Sequence, residues 1–146
     1  MSETIAIASD HAGFALKEVL KQDLAAGGYN VLDLGTNSGE SVDYPDFGFL
    51  LAEKVASGAA KLGVVICGSG VGISIAANRN PKIRAALCCS AEVAKLSRQH
   101  NDANVLALGA RIVDEKTAKD CLKAFLSTEF EGGRHSKRVK KLSAKI

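Results

Sequence analysis

Cys67 closes the apolar run Val64-Val65-Ile66, and glycines follow it at positions 68, 70 and 72, separated by Ser69 and Val71. A β-branched run that breaks into alternate glycines and then resumes helical spacing through Ile75-Ala76-Ala77-Asn78-Arg79 reads as a buried strand, a tight loop and a helix start. The thiol is thereby placed beside a helix amino end. A loop without side chains exposes successive backbone N–H groups, and with the positive end of the helix dipole they form a site for a phosphate or a developing oxyanion. The same field stabilises a thiolate, the form in which cysteine takes up a proton. A titratable sulfur and an anion site would then share one loop.

Other chemistry-bearing residues sit where apolar runs stop or start. Asp10-His11 follows Thr4 to Ser9, His100-Asn101 precedes Val105 to Leu108, and Arg111 follows Gly109-Ala110. Each has a plainer reading beside the chemical one: Asp10 fits a cap of the first helix, His11 and His100 fit helix ends, and Cys67 fits a buried strand residue. Tyr44-Pro45 fits a turn anchor. Gly68-x-Gly70-x-Gly72 lacks the GxGxxG spacing of a dinucleotide site, no GxxxxGK[ST] occurs, and no HExxH or paired CxxC offers a metal cage. Neither a nucleotide cofactor nor a metal is expected.

The elements that position these residues alternate in type. Thr4–Ser9, Asn30–Leu34, Leu62–Cys67, Ile83–Cys89 and Val105–Leu108 read as strands. Helices are predicted with Leu16, Val19, Leu20 and Leu24 on one face, with Phe47, Leu50, Leu51 and Val55 on another, from about Val71, over Ala91–Gln99 and over Glu115–Leu126. A loop from Gly35 to Asp46 precedes the second helix. The pattern predicts one α/β domain, 1–146: a doubly wound, three-layer, Rossmann-like fold with a five-stranded parallel sheet and a C-terminal helix. Ligands of such sheets bind outside the carboxyl ends of the strands, so Asp10, His11, Cys67, Ser69, His100, Asn101 and Arg111 are expected to converge on that one rim.

Composition bounds the partners. At 146 residues with 47% hydrophobic content the chain can bury a core without staples, and no apolar run reaches membrane-spanning length. Met1-Ser2-Glu3-Thr4 lacks a basic leader, and the four cysteines, at 67, 88, 89 and 121, form no CxxC pair; both suit a reducing cytoplasm. Cys88 and Cys89 read as buried strand residues. The 131–146 segment is basic: from 132 onward it carries six cationic side chains and no acid. Val139, Leu142 and Ile146 recur at helical spacing, which argues for a docked amphipathic helix over a free nucleic-acid arm. On that helix Arg134 and Arg138 would share a face and could grip one phosphate, or form a solvated face.

Taken in order, Ser9-Asp10-His11-Ala12-Gly13, Asp43-Tyr44-Pro45-Asp46, Cys67-Gly68-Ser69-Gly70-Val71-Gly72, Ala76-Ala77-Asn78, His100-Asn101-Asp102-Ala103-Asn104-Val105, Leu108-Gly109-Ala110-Arg111 and Gly133-Arg134-His135-Ser136-Lys137-Arg138 resemble the successive motifs of the type B ribose-5-phosphate isomerases. The resemblance spans nearly the whole chain. It implies a metal-independent, cofactor-free aldose–ketose isomerase in which Cys67 moves a proton between C2 and C1 through a cis-enediolate. It further implies that the N–H groups of Gly68, Ser69, Gly70, Val71 and Gly72 hold the enediolate oxygen, and that His100 opens the furanose ring with help from Asp10 and Ser69. His11, Arg134 and Arg138 match the phosphate grip; Tyr44, Asn101 and Arg111 match further substrate contacts. Family members are dimers with sites shared between subunits, which would have His100 and Asn101 serve the neighbour's Cys67. Many members carry threonine where this chain has Ser69, and one branch uses a glutamate base at the position of Ile73, which cannot titrate. Open alternatives are an allose 6-phosphate or galactose 6-phosphate isomerase and, from another class, a non-catalytic phosphosugar or nucleotide sensor. The basic segment lacks the interleaved aromatics of a nucleic-acid contact.

Overall fold

Three segments are almost wholly aliphatic and wholly or nearly wholly buried, as strands covered on both faces must be: β1 (Thr4–Ser9), β3 (Leu62–Cys67) and β5 (Val105–Gly109). In the computed structural model, which describes residues 2–145, they form the centre of a five-stranded sheet of order β2-β1-β3-β5-β4, with β2 (Asn30–Asp33) and β4 (Ala85–Leu87) at the edges. Every pairing is parallel. Helices α1 (Phe14–Ala26), α4 (Ala91–Asn101) and α5 (Glu115–Ser127) supply residues to the core on one face; α2 (Tyr44–Ala56) and α3 (Val71–Asn78) cover the other. The alternation of side chains along a strand decides the partition: Ile5, Ile7, Val64 and Ile66 face the first layer, whereas Ala6, Ala8, Val65 and Cys67 face the second. The predicted fold class is the observed one.

Several boundaries differ from expectation. The second strand ends at Asp33, and the fourth spans only Ala85–Leu87: just before it a side-chain amide takes the place of a ladder partner, Asn104 Oδ1 accepting from Arg84 N–H at 2.8 Å. Cys88 is buried as predicted, but Cys89 is exposed, since the strand has already ended. The loop predicted to reach Asp46 gives way to α2 at Tyr44, where Asp43 takes extended geometry at the N-cap and Pro45 occupies the first turn. At the C-terminus, a short 3₁₀ turn (Gly133–His135) precedes α6 (Ser136–Ala144). No residue of α6 is buried and Leu142 is 54% exposed, so within one chain this helix does not dock as predicted. Ile146 lies outside the described residues.

The strand-end loops are pinned by an ion pair that the sequence pattern does not announce. Lys17 is fully buried, and its Nζ donates to both carboxylate oxygens of Asp33 at 2.9 and 2.8 Å. Asp33 also accepts from Lys21 Nζ at 2.7 Å and from Gly35 N–H at 2.9 Å, and Gly35 in turn accepts from Ser9 N–H beside Asp10. Burial pushes the Asp33 carboxyl up, but the two ammonium groups and the Gly35 N–H outweigh it and hold it below its ordinary value. Asp33→Asn would leave the buried Lys17 charge with only the half-exposed Glu18 carboxylate, 3.6 Å away, and should cost up to about 3–5 kcal/mol of stability. Because the folded-state pKa is depressed, this contribution is present above the ordinary carboxylate value of about 3.9 and is lost as pH falls through the lower folded value. Denaturant unfolding should therefore show a wild-type advantage over Asp33→Asn that shrinks in acid; a constant difference from pH 7 to pH 3 would contradict the assignment.

Candidate active site

The chain reverses direction across the sheet between β1 and β3, so the loops at their carboxyl ends open on a shared crevice. Asp10 N–H bonds to Ile66 O at 3.2 Å, and Gly13 lies so close to Ile66 that a Cβ there would stand 2.7 Å from its carbonyl oxygen. One oxygen of the buried Asp10 accepts from Gly13 N–H at 3.1 Å, but Gly13 is itself the N-cap of α1 and no side chain caps that helix, so the capping role expected of Asp10 is not realised; among the described residues the other oxygen makes no hydrogen bond. His11 Nδ1 accepts from Val42 N–H at 3.1 Å, an arrangement that puts the ring proton on Nε2 and leaves that nitrogen a donor.

Cys67 is 4% exposed, and its Sγ accepts from Gly70 N–H at 3.2 Å. Gly70 is left-handed at φ +79°, and a Cβ there would meet Leu87 at 2.5 Å and the Leu108 backbone at 2.8 Å, so no other residue fits the turn. The exposed Ser69 Oγ accepts from Val71 N–H at 3.1 Å at the start of α3. Of the five N–H groups expected to hold an oxyanion, those of Gly70 and Val71 are thus engaged inside the loop. Those of Gly68, Ser69 and Gly72 have no protein acceptor among the described residues. Tyr44 packs its ring over Gly72 and Arg111 lays its guanidinium over Gly68, where added Cβ atoms would stand 2.5 and 2.9 Å from them. Asp10, His11, Tyr44, the Cys67–Gly72 loop and Arg111 therefore gather at the carboxyl rim.

His100 and Asn101 do not join them. They form the last turn of α4, which leads into the amino end of β5, whereas Cys67 lies at the opposite end of the sheet, roughly 15 Å away by strand rise. The expectation of a single rim is corrected here: a residue just before a parallel strand lies at the far end from a residue just after one. The basic segment joins the same end, because Glu131 N–H bonds to Gln99 O at 3.1 Å and Leu142 of α6 lines a groove of about 350 Å³ with Arg84 and Asn101. Arg134 and Arg138 are both exposed, but Arg134 belongs to the 3₁₀ turn and Arg138 to α6, so the shared face of one α-helix does not relate them.

The sequence reading passed over His135, whose only signal was its place inside the arginine motif. It is 7% exposed and stacks on His100 with ring centroids 4.4 Å apart and planes 16° apart. Burial first, then His100 and Arg134, hold its pKa below the ordinary value, with Glu131 opposing. Donor atoms of His100, Glu131 and His135 lie within 4.8 Å of one another. The in-plane lone pairs of near-parallel rings do not converge, however, so this trio is not preorganised for a tetrahedral ion.

Comparison with known proteins places this geometry. The family model for ribose/galactose isomerase matches residues 5–142. The chain belongs to the ribose/galactose isomerase family. Ribose-5-phosphate isomerase B of Escherichia coli is 48% identical over 140 residues, covering 96% of this chain and 94% of that protein. Among family structures, the Clostridium thermocellum ribose-5-phosphate isomerase B superposes with a TM-score of 0.96 at 52% identity, covering 97% of this chain and 95% of that one. The Mycoplasma genitalium ribose-5-phosphate isomerase B, solved with ribulose 5-phosphate bound, has a TM-score of 0.95 at 45% identity and covers 99% and 96%. Among the described residues of this family member, no helix is long and apolar enough to cross a membrane.

Proposed function

We propose that this chain interconverts D-ribose 5-phosphate and D-ribulose 5-phosphate, acting as a cytoplasmic homodimer in which each site joins the carboxyl rim of one copy to the amino-end residues of the other. The observation that carries the reading is the near-buried Cys67 thiol beside N–H donors that no acceptor among the described residues occupies, in a chain whose relative of similar length and fold is solved with ribulose 5-phosphate bound. Cys67 Sγ takes the C2 proton of the open-chain aldose and returns it to C1. The enediolate oxygen charged in between is met by N–H donors of Gly68, Ser69 and Gly72, each worth about 2.7–4 kcal/mol in comparable sites. The reaction is redox-neutral within the sugar, so it asks for no external oxidant or cofactor.

Two halves are needed because one chain separates them. His100, assigned to ring opening, and Asn101 reach Cys67 only from a second copy, and there they meet Asp10 and Ser69 of the chain that carries that Cys67. Two-fold symmetry makes both sites equivalent, and the undocked α6 with its exposed Leu142 is then free to pack across the interface. His11 Nε2–H and the partner-derived Arg134 and Arg138 converge on the phosphate, with Tyr44 and Arg111 beside the sugar. Free thiols at all four cysteines support a reducing compartment.

The family model also covers galactose-type isomerases, which keeps a six-carbon aldose phosphate as the second reading. Turnover of ribose 5-phosphate against allose 6-phosphate and galactose 6-phosphate, with and without EDTA, decides between them. Fast, EDTA-insensitive turnover of the pentose is expected; preference for a hexose would replace the reading. The phosphate grip has its own expected result. Arg138→Ala should weaken ribose 5-phosphate binding roughly ten- to hundredfold, the worth of one hydrogen bond to a charged group, and Arg138→Lys should not fully restore it because an ammonium lacks the planar fork. Calorimetric titration reads both. Unchanged affinity in Arg138→Ala, with weakened duplex DNA binding instead, would favour a nucleic-acid role for the basic segment.

A further inference from the structure

We infer that His135 is a positioning residue for the ring-opening reaction, holding the His100 imidazole in one plane through their parallel stack. The inference rests on the role given to His100 above. Catalytic imidazoles are commonly oriented by a carboxylate or carbonyl that accepts from one ring nitrogen. Among the described residues neither His100 nor His135 makes a side-chain hydrogen bond, and the Glu131 carboxylate, 3.6 Å from His135 Nε2 and within 4.8 Å of a His100 ring nitrogen, makes one to neither. What orients His100 is therefore a face, 4.4 Å away and 16° from parallel, presented by a ring that is itself 7% exposed and cannot swing freely.

The backbone is built to deliver that ring. Gly132 and Gly133 are both left-handed, at φ 69° and 55°, which turns the chain back on α4, and Glu131 N–H ties the turn to Gln99 O, the residue before His100. His135 N–H closes the turn on Gly132 O at 3.1 Å. The charged groups acting on His135 come from every element around it: His100 on α4, Glu131 before the turn, Arg134 within it and Arg138 on α6. Burial first, then His100, Arg134 and Arg138 against the opposing Glu131, lower its pKa and favour the neutral ring, so it orients His100 without repelling a proton that His100 gains during ring opening. In acid, protonated His135 would oppose that step.

The test compares His135→Ala and His135→Phe with His100→Asn and the His100→Asn/His135→Ala double variant. Two rates are read: turnover of the predominantly cyclic ribose 5-phosphate, and exchange of the C1 proton of open-chain ribulose 5-phosphate with solvent. His135→Ala should slow turnover by about ten- to hundredfold, the scale of a misplaced catalytic group, with exchange close to wild type. His135→Phe should restore most of the loss and retain turnover further into acid than wild type. The double variant should be no slower than His100→Asn, because His135 acts only through His100. The inference is overturned if His135→Ala changes neither rate, or if both rates fall together and phenylalanine restores neither. His100→Asn separates the two failures: if it slows turnover and exchange alike, the ring-opening role of His100 is what falls.

Discussion

Replacing Cys67 with alanine is expected to abolish both isomerisation and solvent exchange of the transferred proton, while phosphosugar affinity stays within a few fold. Removal of a general base costs about 10²–10⁴-fold, and the loop itself offers no substitute: Ile73 cannot titrate, and the Ser69 hydroxyl is engaged with Val71 N–H at the start of α3. Affinity survives because the residues assigned to phosphate and hydroxyl contacts lie on other elements. Exchange measured by NMR in deuterated buffer checks the prediction, and near-normal exchange in the variant would remove Cys67 from the mechanism. Thiol alkylation should inactivate the enzyme and substrate should protect it. Because Cys89 is exposed whereas Cys67 is nearly buried, a Cys89→Ser background is the proper one for that experiment.

The second large effect is expected at His100. Its replacement by asparagine should slow turnover of cyclic ribose 5-phosphate far more than single-turnover conversion of the pre-opened aldehyde, since only the ring form needs a proton moved between ring oxygen and anomeric hydroxyl. Loss of an acid–base group of this kind is worth about 10²–10⁴-fold in rate. Steady-state kcat/KM values in the two directions cannot make this distinction, as the overall equilibrium constant ties them together. Rapid mixing of aldehyde generated in place makes it directly. Equal slowing from ring and open-chain forms would show that His100 is not specific to opening.

Much of the fold was legible because buried parallel strands write themselves as unbroken aliphatic runs. The limits of β1 and β3 follow from the runs ending at Ser9 and Cys67, and α1 stops at its glycines. The edge strand β4 was overread, since Ile83 and Arg84 look like strand while the Asn104 side chain takes the Arg84 N–H that a ladder would use. Half of the candidate site was legible too: Cys67 ends a strand, Asp10, His11 and Arg111 each follow one, and all share one rim. His100 and Asn101 were assigned to that rim by proximity in sequence to β5, although they precede it and so lie at its amino end. Chain order alone names the end of a strand, not the copy of the molecule whose site a residue completes. His135 and Lys17 were missed for a different reason: both are polar residues buried by tertiary contacts, which no local periodicity reports.

That separation makes one measurement decisive. Cys67→Ala and His100→Asn chains, each nearly inactive toward ribose 5-phosphate as a pure protein, can be co-expressed with different affinity tags and the mixed dimer isolated by tandem purification. One of its two sites then unites an intact Cys67 from the His100→Asn chain with an intact His100 from the Cys67→Ala chain, so the mixed dimer should regain about half the wild-type activity per dimer. A mixed dimer as inactive as its parents, or a monomeric wild-type enzyme at full activity, would contradict a site built from opposite ends of two chains.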